Sequence, residues 1–206
     1  MSPSVYALFI TTFFFVSITP GMCMTLAMTL GMTVGVRRAL WMMGGELVGV
    51  GLVATLTLVG VAALMLQYPS LFIALKWGGG LYLFYLGIQL WRSKGKMAIQ
   101  EGSAQQGPVS RTSLISQGFI TAVANPKGWA FFIALLPPFI DHTQALFAQV
   151  VVMLAIILTL EFLSLLGYAT GGKALSHLLR NRGNVRIMNR IAGTLMIGVS
   201  IWLALG

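Results

Sequence analysis

Three ionisable residues, Glu46, Lys127 and Glu161, lie inside apolar stretches that are long enough to cross a membrane. At 1.5 Å of rise per helical residue, Glu46 is about 11 Å and Glu161 about 16 Å from the nearer end of its stretch. A charge in hydrocarbon costs at least about 2.5 kcal/mol, so we expect these side chains to face a polar cavity or one another. They predict binding of a solute or a proton. The alternative is an ion pair between Lys127 and one glutamate that only fixes helix packing.

The two glutamates are the candidates for proton coupling. Burial removes the hydration that holds a charge on a carboxylate, so a buried carboxyl group without a permanent cationic partner can take up and release a proton. Glu161 has apolar neighbours on both sides, whereas Glu46 follows two glycines that can admit water or backbone. We predict that Glu161 carries the proton and that Glu46 faces the substrate, with the reverse assignment as the alternative.

Two prolines interrupt the apolar stretches, in Thr19-Pro20-Gly21 and in Asn125-Pro126-Lys127. Proline removes an amide donor and clashes with the preceding turn, so each motif predicts a broken or kinked helix. A break at membrane depth persists only where its free backbone groups line a cavity or are buried in protein; a kink repaired by neighbouring helices is the alternative. The half-helix after a break directs N–H groups and a positive dipole end at that cavity, which suits a carboxylate. The predicted substrate site consists of Pro20, Gly21, Glu46, Asn125, Pro126 and Lys127.

The elements that must hold these residues are membrane spans. The 206 residues are 57% hydrophobic and only 8% charged, against about 25% charged in a soluble domain. The sequence therefore predicts an integral membrane protein. Its net charge of +9 comes from basic residues between the apolar stretches, where they set orientation and do not indicate nucleic-acid binding. One cysteine and two histidines exclude an internal disulfide and argue against zinc chemistry, so we assign no metal and no cofactor.

Basic residues gather after the first, third and fifth apolar stretches, including a long fifth loop with Arg180, Arg182 and Arg186. The positive-inside rule places these three loops in the cytoplasm and both termini outside. The six stretches are Ser4–Gly31, Ala39–Leu66, Leu71–Trp91, Leu114–Ile140, Ala145–Gly171 and Ile187–Leu205.

The chain divides near its middle. Residues 93–112 have linker composition and separate two halves, 1–92 and 113–206, with three spans each. Because three is odd, the second half enters the membrane from the opposite side, which is the inverted-repeat plan of many secondary transporters. The predicted fold class is an all-α integral membrane protein of six transmembrane helices in two inverted three-helix repeats, with spans 1 and 4 broken at proline.

The sequence resembles the LysE/RhtB family of amino-acid exporters over nearly its whole length. This resemblance implies a bacterial inner-membrane exporter of amino acids or related small metabolites, driven by proton antiport and assembled as a homodimer. Members usually have Pro-Gly-Pro at the first break and often Asp in the second span, whereas here Met22 and Glu46 stand at those positions. The residues that carry the resemblance are Thr19-Pro20-Gly21, Asn125-Pro126-Lys127, the Thr-Leu-Glu ending at Glu161, and the third span with Trp77, Gly78, Gly79, Gly80, Tyr82, Leu83, Tyr85, Leu86 and Gly87.

Anion receptors and acidic groups around one cavity suit a zwitterion, and a free amino acid is the simplest. We therefore predict a secondary transporter that exports an amino acid by alternating access, with protons as the coupled ion and the lipid bilayer as its surroundings. A cation or metal carrier using the same glutamates is the alternative. Its soft ligands would come from Met22, Cys23, Met24, Met28 and Met32, although apolar packing explains these residues more simply. An intramembrane hydrolase is remote, because Ser164 and Ser200 have no nearby histidine.

Overall fold

The structure, a computed structural model, describes residues 3–93, 110–141 and 144–205, and over these residues the chain is helical without strands. Most of the predicted linker, residues 94–109, lies outside the described residues. The helices are α1 (Pro3–Ile18), α2 (Met22–Thr33), α3 (Val36–Gln67), α4 (Pro69–Arg92), α5 (Arg111–Val123), α6 (Pro126–Leu135), α7 (Leu146–Arg180) and α8 (Arg182–Leu205), with a 3₁₀ turn at Pro137–Phe139.

Several described helices have the length and composition of membrane spans. α3 over Val36–Gly60 and α7 over Leu146–Gly172 each qualify, and α1 and α2 qualify together as one span bent by 56°. The bend falls at Thr19–Gly21, where the sequence predicts a break. The class of all-helical membrane protein is therefore confirmed, whereas the count of six spans and the inverted repeat stay predictions.

The segment after Gly171, which the sequence assigns to a long loop, is mostly helical. α7 continues to Arg180 and α8 begins at Arg182, so a single residue, Asn181, separates two helices. The change of direction lies inside α7 instead, at Gly172, whose backbone angles (φ 31°, ψ −112°) are not helical. The apolar stretch that ends at Gly171 therefore agrees with the candidate span Leu146–Gly172, and a second helical segment follows the kink.

One end of the molecule is closed by aromatic rings from α1, α6 and the 3₁₀ turn. Phe9 packs against Phe139 with ring centroids 5.1 Å apart, and Phe13 stacks on Phe132 at 6.2 Å. All four rings are buried in one hydrophobic cluster with the middle of α3 and the start of α7. We call this cluster the aromatic end.

The other end is closed by helices that touch through glycine. A Cβ added to Gly118 would lie 2.0 Å from the carbonyl oxygen of Met42, and one added to Gly31 would lie 2.3 Å from that of Ala169. Such distances leave no room for a side chain, so α5 packs directly on α3 and α2 directly on α7. We call this second hydrophobic cluster, which joins α2 to the starts of α3 and α5 and the end of α7, the glycine-packed end.

Candidate functional site

A cavity of about 80 Å³ lies between the two ends, at the level of both helix breaks. Since a water molecule needs about 10 to 15 Å³ measured in this way, the cavity has room for several waters or a small solute. Its wall combines apolar side chains with a smaller polar set. The polar side chains are Ser17, Thr19, Cys23, Glu46, Asn125 and Glu161.

Glu46 reaches this cavity from the first half of α3. It has no exposed surface, and within the described part of the chain neither carboxylate oxygen has a hydrogen-bond partner. Its nearest interacting groups are the carboxyl of Glu161 and the thiol of Cys23. A buried carboxyl group without a donor is costly, so this position is poised to accept a proton or a solute donor.

Glu161 reaches the cavity from α7 and is held by the first broken helix. The hydroxyl of Ser17 donates a hydrogen bond to Glu161 Oε2, and the oxygen of Ser17 also lies 3.2 Å from the hydroxyl oxygen of Ser164. Ser17 lies in the last turn of α1, just before the break. The two acidic residues and the first break therefore form one polar cluster.

The first break buries its freed backbone groups in protein. The carbonyl of Ile18, which loses its helical partner where α1 ends, accepts a hydrogen bond of 2.8 Å from the hydroxyl of Tyr168 on α7. Thr19 turns back on its own helix and donates to the carbonyl of Phe15 at 2.7 Å. Thr19 and Gly21 line the cavity, whereas Pro20 is half-buried and is not among the lining residues.

At the second break, a freed backbone carbonyl accepts a hydrogen bond from a residue that is close to it in the sequence. The indole N–H of Trp129 donates to the carbonyl of Val123 at 2.8 Å, across the point where α5 ends and α6 begins. Asn125 lines the cavity, with its amide nitrogen 3.9 Å from the sulfur of Cys23. The backbone starts α6 at Pro126, but the side chains of Pro126 and Lys127 lie outside the described residues. Lys127 as a cation beside the cavity stays a prediction.

Of the predicted site residues, the structure brings together Gly21, Glu46, Asn125 and Glu161. The sequence did not single out Ser17, which holds Glu161. A signal was available, because Ser17 is a polar residue three positions before the proline of the first break. It is a weak signal, since a serine in a helix can also satisfy itself on the preceding turn.

The sulfur-containing residues after the first break do not share one environment. Met22, Cys23 and Met24 line the cavity, Met28 is buried in the glycine-packed end, and Met32 is exposed. Among the described residues there is no group of three or more His, Cys, Asp or Glu side chains that could hold a metal ion.

Broken helices that enclose an acidic cavity between two apolar closures define the class of small-solute carriers in membranes. A family model described as LysE type translocator matches residues 14–206, and the chain belongs to this family. The resemblance inferred from the Asn-Pro-Lys motif and the Thr-Pro-Gly break is thereby confirmed. The chain is a translocator and not an enzyme, which removes the intramembrane hydrolase.

Known relatives can be aligned with this chain over almost its full length. The chain is 29% identical over 188 residues to a homoserine/homoserine lactone efflux protein of Salmonella typhimurium, covering 91% of this chain and 90% of the relative. It is 25% identical over 197 residues to a leucine efflux protein of an Enterobacter species, covering 93% and 90%. It is 28% identical over 204 residues to a membrane protein of Vibrio cholerae, covering 99% and 98%. No solved structure matches.

Proposed function

We propose that this protein exports an amino acid or a closely related small metabolite from the bacterial cytoplasm in exchange for protons, by alternating access. The observation that carries the proposal is the meeting of Glu46 and Glu161 in one cavity at the level of both helix breaks. The names of the relatives, which include efflux of homoserine, its lactone and leucine, support a solute of this size and chemistry.

The two carboxyl groups act as one proton-binding unit in this proposal. Two carboxylates that line one low-dielectric cavity repel one another, and neither carboxylate oxygen of Glu46 has a geometric hydrogen-bond partner among the described residues. A proton shared by the pair supplies that donor and removes the repulsion. A solute that brings its own donor and positive charge competes for the same place. Proton and solute then occupy the cavity in turn, which couples outward solute movement to inward proton movement.

Alternating access requires that each end of the cavity opens while the other stays closed. In this proposal the two halves, 1–92 and 113–206, are the units that exchange conformation, and α3 contacts α5 and α4 as α7 contacts α1 and α8. Exchange of the conformations of the two halves would close one end and open the other. In the orientation that the positive-inside rule favours, the basic loops lie in the cytoplasm and both termini lie on the opposite side of the membrane.

The test is transport by purified protein in liposomes with an imposed pH gradient. We expect labelled leucine or homoserine to move against its gradient, and Glu46→Gln and Glu161→Gln each to reduce this movement to the level of empty liposomes. Both variants should elute from gel filtration as the parent does, because the amide preserves the size of the side chain.

Glu101→Gln is the matched control, since it removes an acidic residue that the sequence assigns to the linker, and it should transport normally. Full pH-driven transport by either cavity variant would refute the shared proton site. Movement of a metal ion in place of any amino acid would favour the cation carrier.

A further inference from the structure

We infer that the outer face of α3 and α5 binds an anionic phospholipid, with its phosphate at Arg111 and an acyl chain in a groove between the two helices. This second site is separate from the cavity between the helix breaks, because the two share no lining residue. It therefore does not depend on which solute the protein carries.

A groove of about 290 Å³ lies beside the contact between α3 and α5. The two backbones touch there, since a Cβ added to Gly45 would lie 2.0 Å from the carbonyl oxygen of Ile115. Val48 and Ile120 in the groove wall are 64% and 60% exposed, so the groove opens to the outside of the protein. Because α3 has the length and composition of a membrane span, that outside is hydrocarbon. The wall is apolar apart from one serine and consists of Gly45, Val48, Ile115, Ser116, Phe119 and Ile120.

Two exposed arginines lie at one end of this groove. On α5, Arg111 lies one helical turn before Ile115. On α3, Arg37 and Trp41 lie two turns and one turn before Gly45, on the same face. The guanidinium carbon of Arg111 lies over the indole ring of Trp41, 5.1 Å from its centroid. Stacking holds a guanidinium by its face and leaves the N–H groups at its edge available to bind phosphate in pairs.

The position of Arg111 in its helix also favours an anion. Arg111 is the first residue of α5, where the helix dipole is positive, so its charge does not stabilise the helix. The side chain of Ser110 caps one amide of this helix end, that of Ser113. A phosphate at this point is attracted by the guanidinium and by the helix end together.

The dimensions match one lipid molecule. Between Arg111 and Ile120 a helix rises by about 13 Å, which is within half of the roughly 30 Å hydrocarbon core. A phospholipid with its phosphate at Arg111 therefore places the first part of an acyl chain in the groove. In the orientation that the positive-inside rule favours, Arg37 and Arg111 lie on the cytoplasmic side, where basic pockets between helices bind anionic headgroups.

A lipid fits this face better than a second copy of the chain. In a dimer with its twofold axis along the membrane normal, the same patch meets itself. Arg37 and Arg111 of the two chains would then lie at the same depth and repel one another. A phosphate brings the opposite charge to the same place, and its acyl chain fills the apolar part of the groove.

The test is lipid binding by the purified full-length protein in detergent, measured by native mass spectrometry. The protein is titrated with dioleoylphosphatidylglycerol, which is anionic, and with dioleoylphosphatidylcholine, which has the same chains and no net charge. We expect one phosphatidylglycerol per chain to bind about fivefold more tightly, because one arginine at an anionic lipid surface contributes about this factor. Glycerol 3-phosphate, which has the phosphate without the chains, should not displace it.

Two variants separate the parts of the site. Arg111→Gln should reduce the preference for phosphatidylglycerol about fivefold, and Val48→Trp should weaken its binding by placing an indole in the groove. The matched controls are Arg92→Gln, which removes an exposed arginine at the end of α4, and Val59→Trp, which adds the same ring at a position on α3 that is 57% exposed and outside the groove. Because all four side chains are exposed, we expect these variants to elute from gel filtration as the parent does.

Equal binding of the two lipids by the parent protein would overturn the inference without any variant. An equal loss in Arg92→Gln, or parent-like binding by Val48→Trp, would also overturn it. Displacement by glycerol 3-phosphate would indicate a site for free phosphate. A dimer that Val48→Trp converts to a monomer would indicate a second copy of the chain, and either of these two results rejects the lipid.

Discussion

The two hydrophobic clusters beside the cavity, the glycine-packed end and the aromatic end, are packed by different means. At the glycine-packed end, backbone meets backbone, as where Gly118 lies on Met42 and Gly31 on Ala169. At the aromatic end, rings such as Phe13 and Phe132 meet across the space between their helices. Rings can part by rotation about side-chain bonds, whereas helices in backbone contact separate only by moving as bodies. We therefore expect the cavity to open more readily at the aromatic end.

The two breaks differ in where the hydrogen-bond donor to the freed carbonyl comes from. Tyr168, in the glycine-packed end, reaches Ile18 from a helix that is distant in sequence and that also carries Glu161. Trp129, which packs against the aromatic end, donates to the carbonyl of Val123 across the short break between α5 and α6. The first break is thus linked to α7, the helix that carries Glu161, whereas the hydrogen bond at the second break joins only the two helices that flank it.

The largest effect should follow a change at the glycine-packed end. In Gly118→Ala the new Cβ would stand 2.0 Å from a backbone oxygen of α3, so the helices must separate, and we expect little folded protein by gel filtration. Gly167→Ala is the control, because nothing lies within 4 Å of the added atom and alanine is the better helix former. Equal yields of monodisperse protein from both variants would contradict direct backbone packing.

A change at the aromatic end should alter access and leave the fold intact. Phe132→Ala removes one ring of the stacked pair, so a water-soluble thiol reagent should reach Cys23 several times faster than in the parent. The control is Phe147→Ala, which removes a ring that is 82% exposed and distant from the cavity wall. An unchanged labelling rate in Phe132→Ala would mean that the cavity is entered elsewhere.

The smallest effects should come from removing the hydrogen bonds that Tyr168 and Trp129 donate to the backbone carbonyls at the two breaks. Tyr168→Phe and Trp129→Phe each leave a partly buried carbonyl without its donor, which costs up to about 1 to 3 kcal/mol of stability. We expect similar falls in unfolding temperature but different transport. Tyr168→Phe should also slow proton-driven exchange, because it loosens the first break from the helix of Glu161. Equal transport in the two variants would remove the functional difference between the breaks.

Much of the organisation could be predicted from the sequence because the bilayer permits few solutions. Lipid cannot satisfy polar backbone, so long apolar stretches must be helices, prolines at depth must mark breaks, and the glutamates of these stretches must face something polar. The break at Thr19–Gly21 and the all-helical class follow directly from these rules. The helical segment after Gly172 could not be predicted in this way, because a helix outside the apolar stretches is not marked by apolarity.

The sequence by itself determined which residues are costly to place in lipid: the two glutamates, Lys127 and the two proline motifs. Only the tertiary structure decided which of them meet. That Ser17 holds Glu161, that Tyr168 caps Ile18, and that Pro20 stays away from the cavity wall depend on the rotation and pairing of helices. Several of these partners are more than 140 positions apart, as Ser17 and Glu161 are. Local composition restricts how deep a residue lies in the membrane, but the direction in which it points is decided by packing against the neighbouring helices.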